Sequence, residues 1–396
     1  MRILFWGDSP AVATGLGNVS KNVCDVLSKE HDITVIGVND RGGYKDPKLY
    51  PYPIYPAIYN NYTDVWGAVR LFNALNKQDP EIPKQDFDML FVNLDFFLFN
   101  EITISGKPLF DLIENVKIKK VLYTPIDNET FYPHWLLTFK FFDLIIVPSE
   151  WAKEVLVKAL PELKDRVEVV YYPLDTNNFF KQKPKDKPKN SFIIGYVGRN
   201  QWRKALDKLV FAFVKFKERH PNSFLYIHSN PEATSDYGWN FCDLLSHFNL
   251  YLGRDYFYPV GVNENKGIER KSMRDIYNYM DVFFSASTGE GFGLPYAEAS
   301  LCEVPVIIPD NTVAKEFPLI TYCSLPQPHS FGFIDYNRVR HLPDIEDGLK
   351  RLEWVYNHRQ EAKEKAKQAR KFFLQFDKEK QGKLIHDLIT TLKNKQ

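Results

Sequence analysis

The chain has little cysteine. Cys24, Cys242, Cys302 and Cys323 stand singly among 396 residues, with no CxxC pair and no metal-like spacing. That excludes a disulfide-stapled scaffold and a thiolate metal centre, and it is the usage of a reducing compartment. An excess of charge is lacking too: 51 Lys plus Arg against 50 Asp plus Glu leaves a net charge of +1. An extended polyanion needs clustered surplus cations, so no nucleic-acid partner is expected, although a local basic pocket is not excluded. No apolar run approaches about 18 residues, so no membrane-spanning helix is expected. Peripheral contact with a membrane stays open. The start, MRILFWGDSP, enters a strand at once and places Asp8 where a signal peptide would still be apolar. The expectation is a cytoplasmic protein.

What is present is ordinary globular material, 44% apolar and 26% charged, in a chain too long for one core. Two domains are therefore expected. The apolar stretches 2-RILFWG-7, 32-DITVIGV-38, 87-FDMLFVN-93, 119-KKVLYTP-125 and 142-FDLIIVPS-149 read as strands with helices between them. Then 181-KQKPKDKPKNS-191 offers five lysines, two prolines and nothing to bury, so it reads as an exposed linker. The pattern restarts with 192-FIIGYVG-198, 223-SFLYIHS-229, 257-FYPVG-261, 281-DVFFSAS-287 and 304-VPVIIP-309. A helix with Met273, Ile276, Tyr277 and Met280 on one face lies among them, and an amphipathic helical tail runs from Ile345 through Leu349, Leu352 and Val355 to Leu384, Ile385, Leu388 and Leu392. Alternating strands and helices imply an α/β protein with two parallel-sheet, Rossmann-like domains facing each other across a cleft. Residues 1–180 form the first domain, 181–191 the linker, 192–377 the second domain and 378–396 a final helix. Ligands of such sheets bind beyond the carboxyl ends of the strands.

Three loops could carry chemistry. In 288-TGEGFGLPYAEAS-300, Pro295 suits the first turn of a helix, so Gly293 and Leu294 lie at its start with free N–H groups that favour phosphate. Glu298, a turn inside, can accept from the two hydroxyls of a ribose, while Glu290 can accept from a sugar hydroxyl. In 197-VGRNQWRKALDKL-209, Arg199, Arg203 and Lys204 gather at another helix start, where cations can hold a diphosphate leaving group. Either loop alone is also what a solvated helix end looks like; both leave strands of one sheet, and that convergence favours a ligand. The third loop, 12-VATGLGNVSKN-22, has Gly15 and Gly17 but departs from the dinucleotide-binding spacing, with Ser20 at the third glycine position.

GRNQWRK followed by GEGFGLPYAEA resembles the retaining GT-B glycosyltransferases of family 4, with their G-R-x4-K and E-x7-E elements. The resemblance is strong over about 192–320, including 304-VPVIIPDNTVAKE-316, and looser in the N-terminal half at 147-VPSEWAKEVL-156 and 171-YYPLDTNNFF-180. It implies transfer of a sugar from a UDP- or GDP-sugar to a hydroxyl of a glycan or lipid-linked acceptor, with no metal and no cofactor. By position, Arg199 and Lys204 would hold the donor diphosphate and Glu298 the ribose. Glu290 would meet the donor sugar, with the amides of Phe292, Gly293 and Leu294 on its other side. Gly17 would approach the phosphates from the opposite domain, and the helix 378–395 would cross back to the first domain. The sequence departs from the family where many members carry a histidine. Here 121-VLYTPIDNETFYPHW-135 offers Asp127 in that place, and His134 some residues later.

Other functions remain open on the sequence. A glycosidase would use Glu290 and Glu298 as an acid–base pair but would have no need of Arg199 and Lys204. A nucleotide-sugar epimerase, or a non-catalytic glycan- or nucleotide-binding protein, would share the fold. The segments 228-HSNPEATSD-236 and 259-PVGVNENKG-267 are the candidates for choosing base and sugar. The aromatic stretches 94-LDFFLFNE-101 and 138-TFKFFD-143 read as core, with a lipid-facing patch or a saccharide platform as alternatives.

Overall fold

The structure is a computed structural model. It describes the chain apart from residues 59–63, 105, 185–186, 232–237, 260–267, 269, 331–337 and 396, and apart from the side chains of 100, 101, 270 and 326–330. Two compact units divide it. One comprises Met1–Ile126, Phe131–Leu174 and Phe376–Gln396, the other Asp127–Thr130 and Asp175–Gln375.

The first unit is built on a parallel seven-stranded sheet. Its strands are β1 (Arg2–Asp8), β2 (Asp32–Val38), β3 (Ile54–Pro56), β4 (Met89–Asn93), β7 (Lys119–Tyr123), β8 (Leu144–Val147) and β9 (Val167–Val169), in the order β3-β2-β1-β4-β7-β8-β9. A short antiparallel pair, β5 (Thr103–Ile104) and β6 (Lys107–Pro108), lies outside it. Helices cover both faces, so β1 and β2 are apolar nearly throughout rather than alternating. The aromatic stretches are core: Phe96, Phe97, Phe99, Phe139 and Phe142 are all buried.

Helix Gly15–Leu27 follows β1, capped by Thr14, whose hydroxyl accepts from the Gly17 amide at 2.8 Å. The last helix, Lys378–Asn394, belongs to this unit and packs on Gly15–Leu27. Gly382 permits the contact, because a Cβ there would fall 2.5 Å from Val26 Cγ1. Its buried face is Gln381, Gly382, Ile385 and Ile389, whereas Leu384 is exposed. The leucines of the tail suggest a different stripe, but the close approach at Gly382 sets the rotation of the helix.

The second unit has a parallel six-stranded sheet of β10 (Phe192–Val197), β11 (Ser223–His228), β12 (Tyr256–Phe257), β13 (Val282–Phe284), β14 (Val306–Pro309) and β15 (Ile320–Tyr322), in the order β12-β11-β10-β13-β14-β15. An antiparallel hairpin, β16 (Ser324–Ser330) and β17 (Val339–Pro343), follows it. The fold class is thus α/β with two Rossmann-like parallel sheets. Strand order reverses beside β10, which pairs with β11 on one side and β13 on the other. Crevices at such reversals are where open sheets bind ligands.

Candidate active site

The two motif loops leave the two strands that flank this reversal. After β10 the chain passes Gly198 and Arg199 and winds into a short turn of helix, Trp202–Lys204, with Ala205 left-handed at φ 47°. After β13 it runs through Ser285–Gly293 into helix Leu294–Leu301. Backbone contacts join the loops: the carbonyl of Arg203 accepts from the Thr288 amide at 2.8 Å and from the Thr288 hydroxyl at 3.0 Å. In return the Arg203 guanidinium donates to the Gly289 carbonyl at 3.0 Å. The convergence expected of the two segments is therefore a fixed piece of backbone.

Side chains complete it. Lys204 Nζ is ion-paired and hydrogen-bonded to Glu290 Oε1, and Arg203 lies 3.4 Å from Glu290 Oε2. The Lys204 and Glu290 side chains are only 13% and 12% exposed, so each needs the other to be carried out of water. Burial, reinforced by the Arg203 charge, brings the Lys204 ammonium down to about 8 against the pull of Glu290. Burial opposes ionisation of Glu290, yet Lys204 and Arg203 outweigh it and hold the carboxyl below its ordinary range.

Asp127 enters this cluster from the other side, and only tertiary structure could place it there. Arg338 and Arg340, both buried, reach it from the hairpin at 3.0 and 3.2 Å, and Arg203 lies 3.9 Å away. Burial resists its charge, but the three guanidiniums drive its carboxyl far below the usual carboxylate range. Arg340 also donates to the Asp127 carbonyl at 2.7 Å. That carbonyl sits 2.4 Å from where a Cβ on Gly289 would be, so only glycine fits against it. Arg338 and Arg340 carry no sequence signal; they stand beyond the second sheet's last strand, outside any motif. Arg203 was visible in GRNQWRK, next to the lysine.

Among the described residues no side chain caps the start of helix Leu294–Leu301, and Gly293 is left-handed at φ 77°. Among the described residues the amides of Gly293 and Leu294 have no hydrogen-bond partner. Phe292 is buried and its ring packs against Phe317 and Phe373. Glu298, half-buried, accepts from the Tyr277 hydroxyl at 2.8 Å. Arg199 is exposed, and its guanidinium has no partner among the described residues.

The remaining candidates lie in the first unit. Gly17 is buried in the helix start after β1, where a Cβ would fall 2.6 Å from the Val12 carbonyl oxygen. His134 is exposed and stacks on Tyr132 with ring centroids 5.7 Å apart. Of the two segments expected to choose base and sugar, 232–236 and 260–267 lie outside the described residues. His228, just before them, is held neutral: burial brings it down to about 4, and the Tyr226 hydroxyl lies 3.1 Å from its Nδ1. Among the described residues no group of His, Cys, Asp and Glu is placed to hold a metal ion, and no helix is long and apolar enough to cross a membrane.

A sucrose-phosphate synthase from Thermosynechococcus elongatus superposes with a TM-score of 0.73 at 15% identity, over 99% of both chains. Anabaena HepE in complex with UDP-glucose superposes with a TM-score of 0.70 at 14% identity, over 99% of this chain and 100% of that one. The fold is that of the GT-B glycosyltransferases. In sequence, the chain is 25% identical over 308 residues to the uncharacterised glycosyltransferase MJ1059 of Methanocaldococcus jannaschii, covering 74% of this chain and 67% of that protein. No model of a known protein family matches the chain.

Proposed function

We propose that this chain is a glycosyltransferase that moves a sugar from a nucleoside-diphosphate sugar, UDP-linked in the first instance, to a hydroxyl of a glycan or lipid-linked acceptor. One observation carries the reading: at the strand-order reversal of the second unit, two loops tied together by backbone bonds bring Arg203, Lys204, Glu290 and an uncapped helix start to one place. A diphosphate is the ligand that such a set accommodates. It takes charge-assisted bonds from the cations, each worth roughly 1.5–3 kcal/mol, and amide bonds from the helix start. HepE, in complex with UDP-glucose, supports the same class of donor, and MJ1059, named as a glycosyltransferase, supports the activity.

In this reading Lys204 and Arg199 hold the two phosphates, Arg199 swinging in from solvent. The amides of Gly293 and Leu294 face them, with that of Phe292 beside, and Glu298 takes the ribose hydroxyls. Glu290 meets the donor sugar. The reaction is of the retaining, family 4 kind. As the bond from the sugar's anomeric carbon to the phosphate oxygen breaks, the acceptor oxygen bonds to that carbon on the same face and its proton passes to the leaving phosphate. No protein nucleophile is needed, and neither cofactor nor metal is part of the proposal. Asp127, held ionised by three arginines, acts electrostatically and does not carry the proton. Gly17 remains a proposed backbone contact to the donor, and GDP-sugars remain alternative donors.

Incubation with UDP- and GDP-sugars, with and without acceptor saccharides, tests the proposal through nucleoside diphosphate release and proton NMR of the product. Acceptor-dependent release with the donor's anomeric configuration kept is the expected result. Turnover of donor without acceptor to an isomeric nucleotide sugar would make the protein an epimerase, and binding without turnover a sensor.

A further inference from the structure

A second cavity lies in the second unit, away from the loops just described. Its volume is about 570 Å³, and it opens between the early residues of β10 and β11, the end of β12 and helix Arg270–Tyr279. Phe224, Tyr226, Phe257, Ile276, Tyr279 and Met280 supply an apolar wall. Ile193 and Phe224 are the second residues of β10 and β11, so the cavity sits toward the amino ends of the strands. The donor loops leave the carboxyl ends. Volume and lining are those of a small-molecule pocket.

Arg274 makes the cavity more than a packing gap. Its side chain lines the wall and is only 12% exposed, yet among the described residues its buried Nε has no hydrogen-bond partner. Its guanidinium stacks over the Phe180 ring at 4.3 Å and is ion-paired with Asp275 at 3.6 Å, too long for a hydrogen bond. Asp275 is already engaged by the Gln182 side-chain amide. Guanidinium groups this deep ordinarily spend their donors on carboxylate or phosphate. Lys183 and Lys271 also line the cavity and add positive charge around it. The hydroxyl of Tyr226, on β11, is engaged with His228. The lining therefore offers apolar surface, three cations against the one carboxylate of Asp275, and few groups that could read a sugar or a base.

We propose that this cavity is a second ligand site, taking an amphiphile with an aliphatic body and a single anionic head, carboxylate or phosphate, that pairs with Arg274. It is separate from the donor site, although helix Arg270–Tyr279 touches both: Tyr277, one turn beyond Arg274, donates to Glu298.

Calorimetry of the full chain with decyl phosphate below its micellar concentration is the test, with decanol as the uncharged control. Saturable binding at one site is expected, at least tenfold tighter than decanol. UDP should not displace it. Arg274→Gln should weaken decyl phosphate at least tenfold and leave decanol unchanged. Ile276→Trp, which fills the cavity, should abolish both, and circular dichroism melting checks that it folds. Co-sedimentation with phosphatidylcholine vesicles containing phosphatidic acid, lost in Arg274→Gln, would assign the head to a membrane lipid. Decyl phosphate binding without co-sedimentation would assign a free amphiphile. Absence of saturable binding, equal binding by Arg274→Gln, or displacement by UDP would overturn the proposal.

Discussion

Lys204 and Glu290, proposed to meet the donor's diphosphate and its sugar, are paired with each other. An incoming diphosphate must take Lys204 away from its carboxylate. Glu290→Gln should therefore bind UDP roughly tenfold more tightly than the parent in calorimetry, the size of one charge-assisted bond, while transferring sugar at least tenfold more slowly. Weaker UDP binding in that variant would show that Glu290 helps to hold the nucleotide. The lysine also sets a pH dependence. Its folded value is brought down to about 8, so above that pH the ammonium loses its proton and its charge. UDP affinity should be flat around pH 7 and fall by up to tenfold per unit above about 8. Lys204→Arg, charged throughout, should remove that upper limb.

Helix Leu294–Leu301 depends on what precedes and what flanks it. Gly293 is left-handed, and a Cβ there would fall 2.4 Å from the Tyr296 ring, whose hydroxyl is bonded to Ser285 at 2.9 Å. Gly293→Ala should cost about 1–2 kcal/mol for the backbone conformation alone, before the ring is displaced. Lower thermal stability together with weaker UDP binding would check it. Its neighbour, helix Arg270–Tyr279, holds Glu298 through one hydroxyl. Tyr277→Phe should leave stability within about 1.5 kcal/mol of the parent and weaken UDP a few-fold, because the carboxylate loses its orientation. Unchanged affinity would separate Glu298 from the ribose.

On the scale of the whole chain, the last helix joins a unit whose other parts end some 200 residues earlier, at Leu174. Leu174 and Phe376 share a backbone bond of 2.9 Å, and Gly382 lies against Val26. Gly382→Leu should raise hydrogen exchange in Gly15–Leu27 and in the last helix, while Leu206–Arg219 in the other unit stays protected. Equal loosening of both would mean that the two units unfold as one.

The order of strands and helices was legible because it is written locally, in runs of Val, Ile and Phe that a two-sided parallel sheet buries. Short edge strands such as Ile54–Pro56 and Val167–Val169 carry too few residues for a pattern to show. The motif loops, too, could be located from glycines, a proline and the strands before them. Which charges meet could not. Asp127 and Arg338 stand 211 positions apart, and the step between strands β10 and β13 is what brings Arg203 and Lys204 to Glu290. Backbone propensity acts over a few residues and so is readable along the chain. Ion pairing acts over a few ångströms, and only the folded sheet decides which residues lie within them.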